Sequence, residues 1–191
     1  RYSQINKTYW ERLENGEISK SEVLIGRFRD FFREEGLDTS LAEKFNEDYQ
    51  IRLGDTIVYQ DDSLDIVRSL KGKVKQYVVS NGTVLAQTRK LKLSGLGDLM
   101  EGIFLSETLG AEKPSLAFFQ KVFSALGDVD KSRTLIIGDS LTSDIRGGNN
   151  AGILTCWYNP GHFSADSRYT IDYEIADLHE LYHILSPFCS K

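Results

Sequence analysis

The chain has 191 residues, of which 40% are hydrophobic and 27% charged, and its formal net charge is −5. This composition excludes a disordered or low-complexity chain, and the length is sufficient for a hydrophobic core. The acidic balance argues against nucleic-acid polymers and anionic membranes as partners, and no apolar run approaches the roughly 18 residues of a membrane span.

Residues 1–60 are predicted to form a small helical domain. Apolar residues recur at helical spacing across residues 2–14, directly before Asn15 and a glycine. Two pairs of residues have the capping-box spacing that opens a helix: Ser19 with Glu22, and Ser40 with Glu43. These pairs predict a second helix that closes at Gly36 and a third that ends near Gly54.

From residue 61 onward the pattern changes to short apolar strands that alternate with helices. Strands are predicted at residues 74–79, 103–105, 134–137, 153–158 and 173–175. Helices are predicted at residues 64–70, 83–93, 114–126, 142–151 and 178–185. Strands without polar alternation, separated by helices, are typical of a parallel sheet covered on both faces. The sequence therefore predicts an α/β domain with a Rossmann-like sheet over residues 61–191.

Polar residues follow the ends of three predicted strands. They are Ser80, Asn81 and Gly82 after the first strand, Lys113 after the second, and Asp139 with Asp144 after the third. Ligands of parallel sheets bind at the carboxyl ends of the strands, so these residues are predicted to share one side of the sheet. Lys113 stands before a helix N-terminus, where the positive end of the helix dipole disfavours a cation. A phosphate bound there would interact favourably with both positive charges. Two carboxylates that flank a strand-to-helix turn suit Mg²⁺.

Each of these residues also has a purely structural interpretation. Ser80 and Asn81 are common helix caps, and Lys113 could be a solvated surface lysine. Asp139 could be another cap, and Asp144 is favourable in the first turn of a helix because of the helix dipole. The order of the motifs along the chain is much more specific than any one of them.

That order resembles the haloacid dehalogenase-like (HAD) phosphohydrolases, and the similarity is most specific over residues 134–160. The chain is most similar to the bacterial pyrimidine 5′-nucleotidase-like branch of the family. The resemblance covers essentially the whole chain. It implies a HAD-like core over residues 61–191 and a helical cap over residues 1–60. The implied activity is hydrolysis of a small phosphomonoester with Mg²⁺, preferably a nucleoside monophosphate, with a sugar phosphate as the next choice.

The resemblance also assigns roles to individual residues. It implies that Ser80, with Asn81 and Gly82, holds the transferring phosphoryl group. Lys113 would neutralise charge on the phosphate and on the nucleophile. Asp139 would bind Mg²⁺ directly, and Asp144 would complete or orient its coordination shell.

The nucleophile of this family belongs to a D-x-D motif at the end of the first core strand. Neither Asp55 nor the pair Asp61 and Asp62 follows an apolar strand, so they are rejected as nucleophiles. We expect the first strand and its aspartates to lie upstream of Arg1, which would leave these residues catalytically incomplete. A domain supplied by another chain and a natural remnant without activity are the alternatives.

Two other functions are compatible with the sequence. His179, Glu180 and His183 have the spacing of a zinc-hydrolase motif, but the eight residues after His183 contain no His, Asp or Glu as a third ligand. An exposed histidine pair on a packing helix is therefore the stronger interpretation. The other alternative is a catalytically inactive interaction protein that keeps the HAD fold.

The expected partner is a small phosphorylated substrate, not a nucleic-acid polymer or a membrane, and the expected assembly is a monomer or a homodimer. The two cysteines, Cys156 and Cys189, are far apart and fit no metal or redox spacing. This cysteine usage predicts a reducing, cytoplasmic location.

Overall fold

The computed structural model describes residues 1–188 and begins with three helices. They are α1 (Tyr2–Glu14), α2 (Lys20–Glu34) and α3 (Ala42–Asp55). The helices pack around an apolar cluster of Phe28, Phe32 and Ala42, which is flanked by Tyr2, Ile25, Phe31 and Tyr49. The aromatic rings of this cluster pack edge-to-face or stacked, which explains how so short a segment acquires its own core.

The start of α2 forms as the sequence predicts. The side chain of Ser19 accepts a hydrogen bond from the amide of Glu22 at 3.3 Å. The carboxylate of Glu22 in turn accepts from the amide of Ser19 at 2.7 Å. This reciprocal pair satisfies two backbone donors that the first helical turn leaves without partners.

The second predicted capping box, Ser40 with Glu43, is wrong. Asp38 accepts a hydrogen bond from the amide of Ser40 at 2.9 Å and starts a tight turn over Thr39–Leu41. Because that turn comes first, α3 begins only at Ala42.

The remaining elements alternate between helices and strands. They are α4 (Ser63–Leu70), β1 (Tyr77–Ser80), α5 (Val84–Ser94), β2 (Gly102–Leu105), α6 (Ser106–Leu109), α7 (Leu116–Leu126), β3 (Leu135–Gly138), α8 (Arg146–Ala151), β4 (Leu154–Tyr158), β5 (Tyr173–Ile175) and α9 (Leu181–Leu185). The predicted α/β fold is confirmed, with differences at element ends. Helix α7 is capped by Ser115 and does not begin at Pro114, and a wide π-type turn over Leu141–Ile145 precedes α8.

All pairings between these strands are parallel, as predicted, but within residues 1–188 the strands form two sheets. One sheet contains β1 and β2, with Ser80 opposite Leu105. The other contains β3, β4 and β5 in that order, with Gly138 opposite Trp157. The carboxyl ends of β1 and β3 lead into the predicted site segments.

The α/β part has two buried clusters. One lies between α7, β3 and α8 and consists of Phe118, Phe119, Val122, Ile136, Ala151 and Ile153. The other consists of Cys156, Ile175 and Leu181 beneath α9. Burial raises the pKa of the Cys156 thiol to about 12. Cys189 lies outside the described residues. Within residues 1–188, no helix combines the length and apolar character needed to span a bilayer.

Helix α3 packs along α5 and joins the N-terminal helices to the rest of the molecule. A Cβ atom at Gly54 would lie 2.9 Å from the carbonyl oxygen of Ala86, so the glycine permits this close approach. Thr83 donates a buried hydrogen bond to Gln50 at 2.8 Å. The position of α3 is thereby tied to the loop that follows β1.

Candidate active site

Lys113 is the centre of the site. It is only 6% exposed, so its interpretation as a solvated surface lysine is wrong. Its Nζ donates to Oδ1 of Asp144 at 2.5 Å and to the carbonyl oxygen of Val79 at 3.1 Å. The ammonium group therefore bridges the end of β1 and the turn after β3. Burial of both charges is tolerable because each has a hydrogen-bonded partner.

The loop after β1 holds Lys113 in place. The side chain of Asn81 donates to the carbonyl oxygen of Lys113 at 2.8 Å and accepts from its amide at 2.9 Å. The Ser80 hydroxyl accepts from the amide of Gly82 at 3.0 Å. Since Thr83 is the residue that caps α5, the alternative in which Ser80 or Asn81 caps this helix is wrong.

The two predicted metal ligands occupy different environments. Asp144 is buried, and its Oδ2 accepts from the amide of Ser140 at 3.3 Å. A Cβ atom at Gly138 would collide with that same oxygen, so the glycine leaves the space that the carboxylate occupies. Asp139 is exposed, and its backbone oxygen accepts from the indole of Trp157 at 3.1 Å. Asp144 is thus held by protein groups, whereas the carboxylate of Asp139 faces solvent.

Glu14 is a site neighbour that the sequence did not reveal. Thr142 donates a hydrogen bond to its Oε2, and Thr142 lies in the same turn as Asp144. Burial raises the pKa of Glu14 to about 7, and the charge of Asp144 acts in the same direction. One signal was available: Glu14 ends α1, where the helix dipole disfavours a negative charge.

Lys20 is a second neighbour that the sequence did not reveal. Its Nζ donates to the hydroxyl of Ser106 at 2.6 Å and lies 3.6 Å from the carboxylate of Glu112. Burial lowers the pKa of Lys20 and raises that of Glu112. This contact brings the start of α2 next to the residue that precedes Lys113. No local sequence pattern indicates a pairing over so long a separation.

The charges and donor atoms of the site fit a divalent cation. The ammonium group of Lys113 is balanced by its ion pair with Asp144, and Glu14 lies close enough to feel both charges, so a phosphate dianion needs additional positive charge. The donors are carboxylate oxygens, which Mg²⁺ prefers. The described residues contain no group of three or more His, Cys, Asp or Glu side chains that encloses a metal.

The histidine motif does not form a comparable site. His179 lies in a tight turn over Leu178–Glu180, and its Nδ1 is 2.7 Å from the carboxylate of Asp177. His183 lies in the separate helix α9. Among residues 1–188 neither histidine belongs to a group of three potential metal ligands. The zinc-hydrolase interpretation therefore has no support from the geometry.

Comparisons with known proteins find similarity along most of the chain. The family model of the haloacid dehalogenase-like hydrolases matches residues 2–152. The HAD-hydrolase YfnB of Bacillus subtilis is 36% identical over 185 residues, which cover 97% of this chain and 78% of YfnB. The pyrimidine 5′-nucleotidase PynA of Streptococcus pneumoniae is 36% identical over 183 residues, which cover 94% of this chain and 76% of PynA. A crystal structure of YfnB bound to magnesium matches with a TM-score of 0.88 at 36% identity, covering 96% of this chain and 80% of that one.

Proposed function

This chain belongs to the haloacid dehalogenase-like hydrolases, and we propose that it is a magnesium-dependent phosphatase whose preferred substrate is a nucleoside monophosphate. The observation that carries the proposal is the buried Lys113, fixed between Val79 and Asp144 at the carboxyl ends of two parallel strands. A buried cation at this place in an α/β fold suits an anionic ligand. Similarity to PynA supports a nucleotide as that ligand.

The proposed binding of the phosphoryl group uses the loop after β1 together with Lys113. The Ser80 hydroxyl and the amide of Asn81 would donate to phosphoryl oxygens, while the amide of Gly82 orients the Ser80 hydroxyl. Lys113 would stabilise the negative charge that develops on these oxygens in the transition state. Because Asn81 holds both the amide and the carbonyl of Lys113, little reorganisation is needed when substrate binds.

The proposed metal site uses the turn after β3. Asp139, which faces solvent, would coordinate Mg²⁺ directly, and the buried Asp144 would complete or orient the shell. When bound, the ion would supply the positive charge that the carboxyl groups around Lys113 require before a phosphate can enter.

We further propose a covalent route through an aspartyl-phosphate. A carboxylate oxygen attacks phosphorus, the ester P–O bond breaks and the leaving oxygen takes a proton; water then cleaves the acyl phosphate. Asp55 is not suitable, because it ends helix α3 and is paired with Arg89 at 2.7 Å. Asp61 is not suitable either, because one of its oxygens accepts from Tyr158 and from the amide of Leu178. From the resemblance to the family's D-x-D motif, the proposal assigns the nucleophile to an aspartate outside these 191 residues.

Residues 1–60 are proposed to act as a cap over a core formed by residues 61–191. Two contacts support this division of roles. Glu14 reaches the turn that carries Asp144, and Lys20 reaches Ser106 at the end of β2. Both contacts lie at the edge of the sheets where Lys113 is held, so substrate would enter between the helices and that edge.

The proposed function is tested by measuring phosphate release from nucleoside 5′-monophosphates and from p-nitrophenyl phosphate. The protein is expressed from its complete gene and assayed with Mg²⁺ and with EDTA. We expect Mg²⁺-dependent release that is faster from the nucleotides. Lys113→Met should lower kcat/KM by about 100-fold to 1,000-fold, as expected for loss of a group that stabilises transition-state charge.

Lys44→Met is the matched control, because Lys44 lies on the exposed surface of α3 and, among residues 1–188, pairs only with neighbouring acids of its own helix. Circular dichroism establishes that both variants are folded. Release from nucleotides no faster than from the aryl ester would reject the nucleotide preference. Full activity of a folded Lys113→Met variant would reject the assigned site.

A further inference from the structure

Glu14 has an unfavourable position that its contacts within the protein do not explain. It is the last residue of α1, where the negative end of the helix dipole opposes a carboxylate. Its only side-chain hydrogen bond from the described residues comes from the neutral hydroxyl of Thr142, and burial raises its pKa to about 7. A leucine or glutamine at the same position would avoid both costs. The acidic side chain therefore calls for a functional reason.

The carboxylate of Glu14 has one oxygen available to a ligand. Thr142 donates to Oε2, whereas Oε1 accepts no hydrogen bond from residues 1–188. Within residues 1–188, Oε1 of Glu14 is not one of the buried polar atoms that lack a hydrogen-bond partner. The Thr142 hydroxyl lies 3.2 Å from that of Ser140, whose amide contacts Asp144, the partner of Lys113. Oε1 is thus an available acceptor, and its carboxylate is connected to the proposed phosphate site through Thr142, Ser140 and Asp144.

We propose that Glu14 is a specificity-determining residue that reads the part of the substrate beyond the transferred phosphate. Its carboxylate accepts a hydrogen bond from a neutral donor there, a hydroxyl or an N–H group. The same charge repels substrates that carry a second phosphate at that place. This inference rests on the proposed phosphatase function, since it assumes that Lys113 binds the phosphate that is cleaved.

A single carboxylate accounts for both effects, the hydrogen bond from a neutral donor and the repulsion of a second phosphate. Above its pKa of about 7 the Glu14 carboxylate is ionised, so it only accepts hydrogen bonds, and a bond to it is about twice as strong as one between neutral groups. It also repels a nearby phosphate, and this repulsion is strong where little water screens the charges. A substrate with one phosphate and a neutral, hydroxyl-bearing remainder satisfies both conditions, as a nucleoside monophosphate does.

The test measures dissociation constants by calorimetry for uridine 5′-monophosphate and for uridine 3′,5′-bisphosphate. Each ligand is titrated at about pH 8, where Glu14 is mostly ionised, into the wild-type protein and into Glu14→Gln, both expressed from the complete gene. Glutamine keeps an acceptor oxygen for Thr142 but has no charge. We expect the preference for the monophosphate over the bisphosphate to fall by about tenfold or more, because the bisphosphate binds more tightly and the monophosphate more weakly.

Two control variants separate this role from a structural one. Glu11→Gln removes a charge one turn earlier on α1, where Glu11 lies 3.8 Å from Lys7, and should leave the preference unchanged. Thr142→Val removes the hydroxyl that holds Oε2 but keeps the charge of Glu14. If Glu14 only docks α1 onto the turn, Thr142→Val and Glu14→Gln should change the binding of both ligands alike.

An unchanged preference in Glu14→Gln, or the same change in Thr142→Val, would overturn the inference. So would a wild-type protein that binds neither ligand. Failure of the proposed function gives a different result: the preference shifts as expected in the binding experiment, yet the wild-type protein releases no phosphate from the monophosphate or from p-nitrophenyl phosphate.

Discussion

At the residue scale, the two acidic groups near Lys113, the buried Asp144 and the half-buried Glu14, differ in what compensates them. Asp144 is paired with the lysine at 2.5 Å, whereas Glu14 is held by a hydroxyl. Burial raises the pKa of Glu14 from 4.5 to about 7. The folded protein therefore keeps a proton that the unfolded chain releases as the pH rises above 4.5. Its stability accordingly falls between about pH 4.5 and pH 7 and remains reduced at higher pH.

Glu14→Gln should remove this pH dependence. Relative to the wild type, the free energy of unfolding of the variant is expected to rise by about 1–3 kcal/mol between pH 5 and pH 8. Urea denaturation at the two pH values measures the difference. Glu11→Gln serves as the control, with no comparable change expected. Parallel pH profiles for Glu14→Gln and the wild type would show that the carboxyl group is not buried as described.

Gly138 is the other residue on which the site geometry depends. Gly138→Ala should lower kcat/KM for phosphate release by at least about tenfold and stability by about 1–3 kcal/mol, because its Cβ would displace the buried Asp144 carboxylate. Gly102→Ala is the matched control in β2, since its nearest contacts are side-chain atoms of Phe104 and Tyr77 at 3.3 Å. Equal effects on activity in the two variants would contradict the assigned role.

At the element scale, the two serine–glutamate pairs provide a direct comparison. Ser19→Ala removes the hydroxyl that caps α2 and should lower the free energy of unfolding by about 1 kcal/mol. Ser40 has the same spacing to a glutamate but caps no helix, so Ser40→Ala should change the free energy of unfolding by no more than about 0.5 kcal/mol. Thermal or urea denaturation distinguishes them. A larger loss at Ser40 would mean that its capping box forms in solution.

The same comparison shows which part of the fold the sequence predicts. Local patterns predict α1 and the Ser19 cap because every group involved lies within a few residues along the chain. They fail at Ser40 because Asp38 is equally local and competes for the same amide. Pairing between distant strands has no local signature, so the division into two sheets was not specified by the spacing of the strands.

The residues of the candidate site also fall into those that the sequence predicts and those that only the structure reveals. Lys113 and Asp144 stand out in the sequence because each follows a predicted strand and lies at the predicted start of a helix, but their contact at 2.5 Å required the fold. Glu14 and Lys20 come from the N-terminal helices, and their partners Thr142 and Ser106 are far away in the chain. No spacing rule connects such pairs, so only the packing of the helices reveals them.

At the scale of the whole molecule, the close packing of α3 on α5 joins the N-terminal helices to the sheets. Gly54→Ala would ordinarily stabilise a helix by about 1 kcal/mol. Here we expect a loss of about 1–3 kcal/mol, because the added Cβ meets the backbone oxygen of Ala86 at 2.9 Å. Urea denaturation measures the sign of the change. A gain in stability would show that α3 can move away from α5 at little cost.

Chemical modification of the buried Cys156 can measure how often the sheet of β3, β4 and β5 opens. Its thiol is 0% exposed on β4, and burial raises its pKa to about 12, so a thiol reagent cannot modify it in the closed fold. In a Cys189→Ser background, the rate of Cys156 modification would report how often β4 separates from β3 and β5. Comparing that rate with and without a nucleotide would show whether ligand binding at the ends of β1 and β3 also restrains the far side of the molecule.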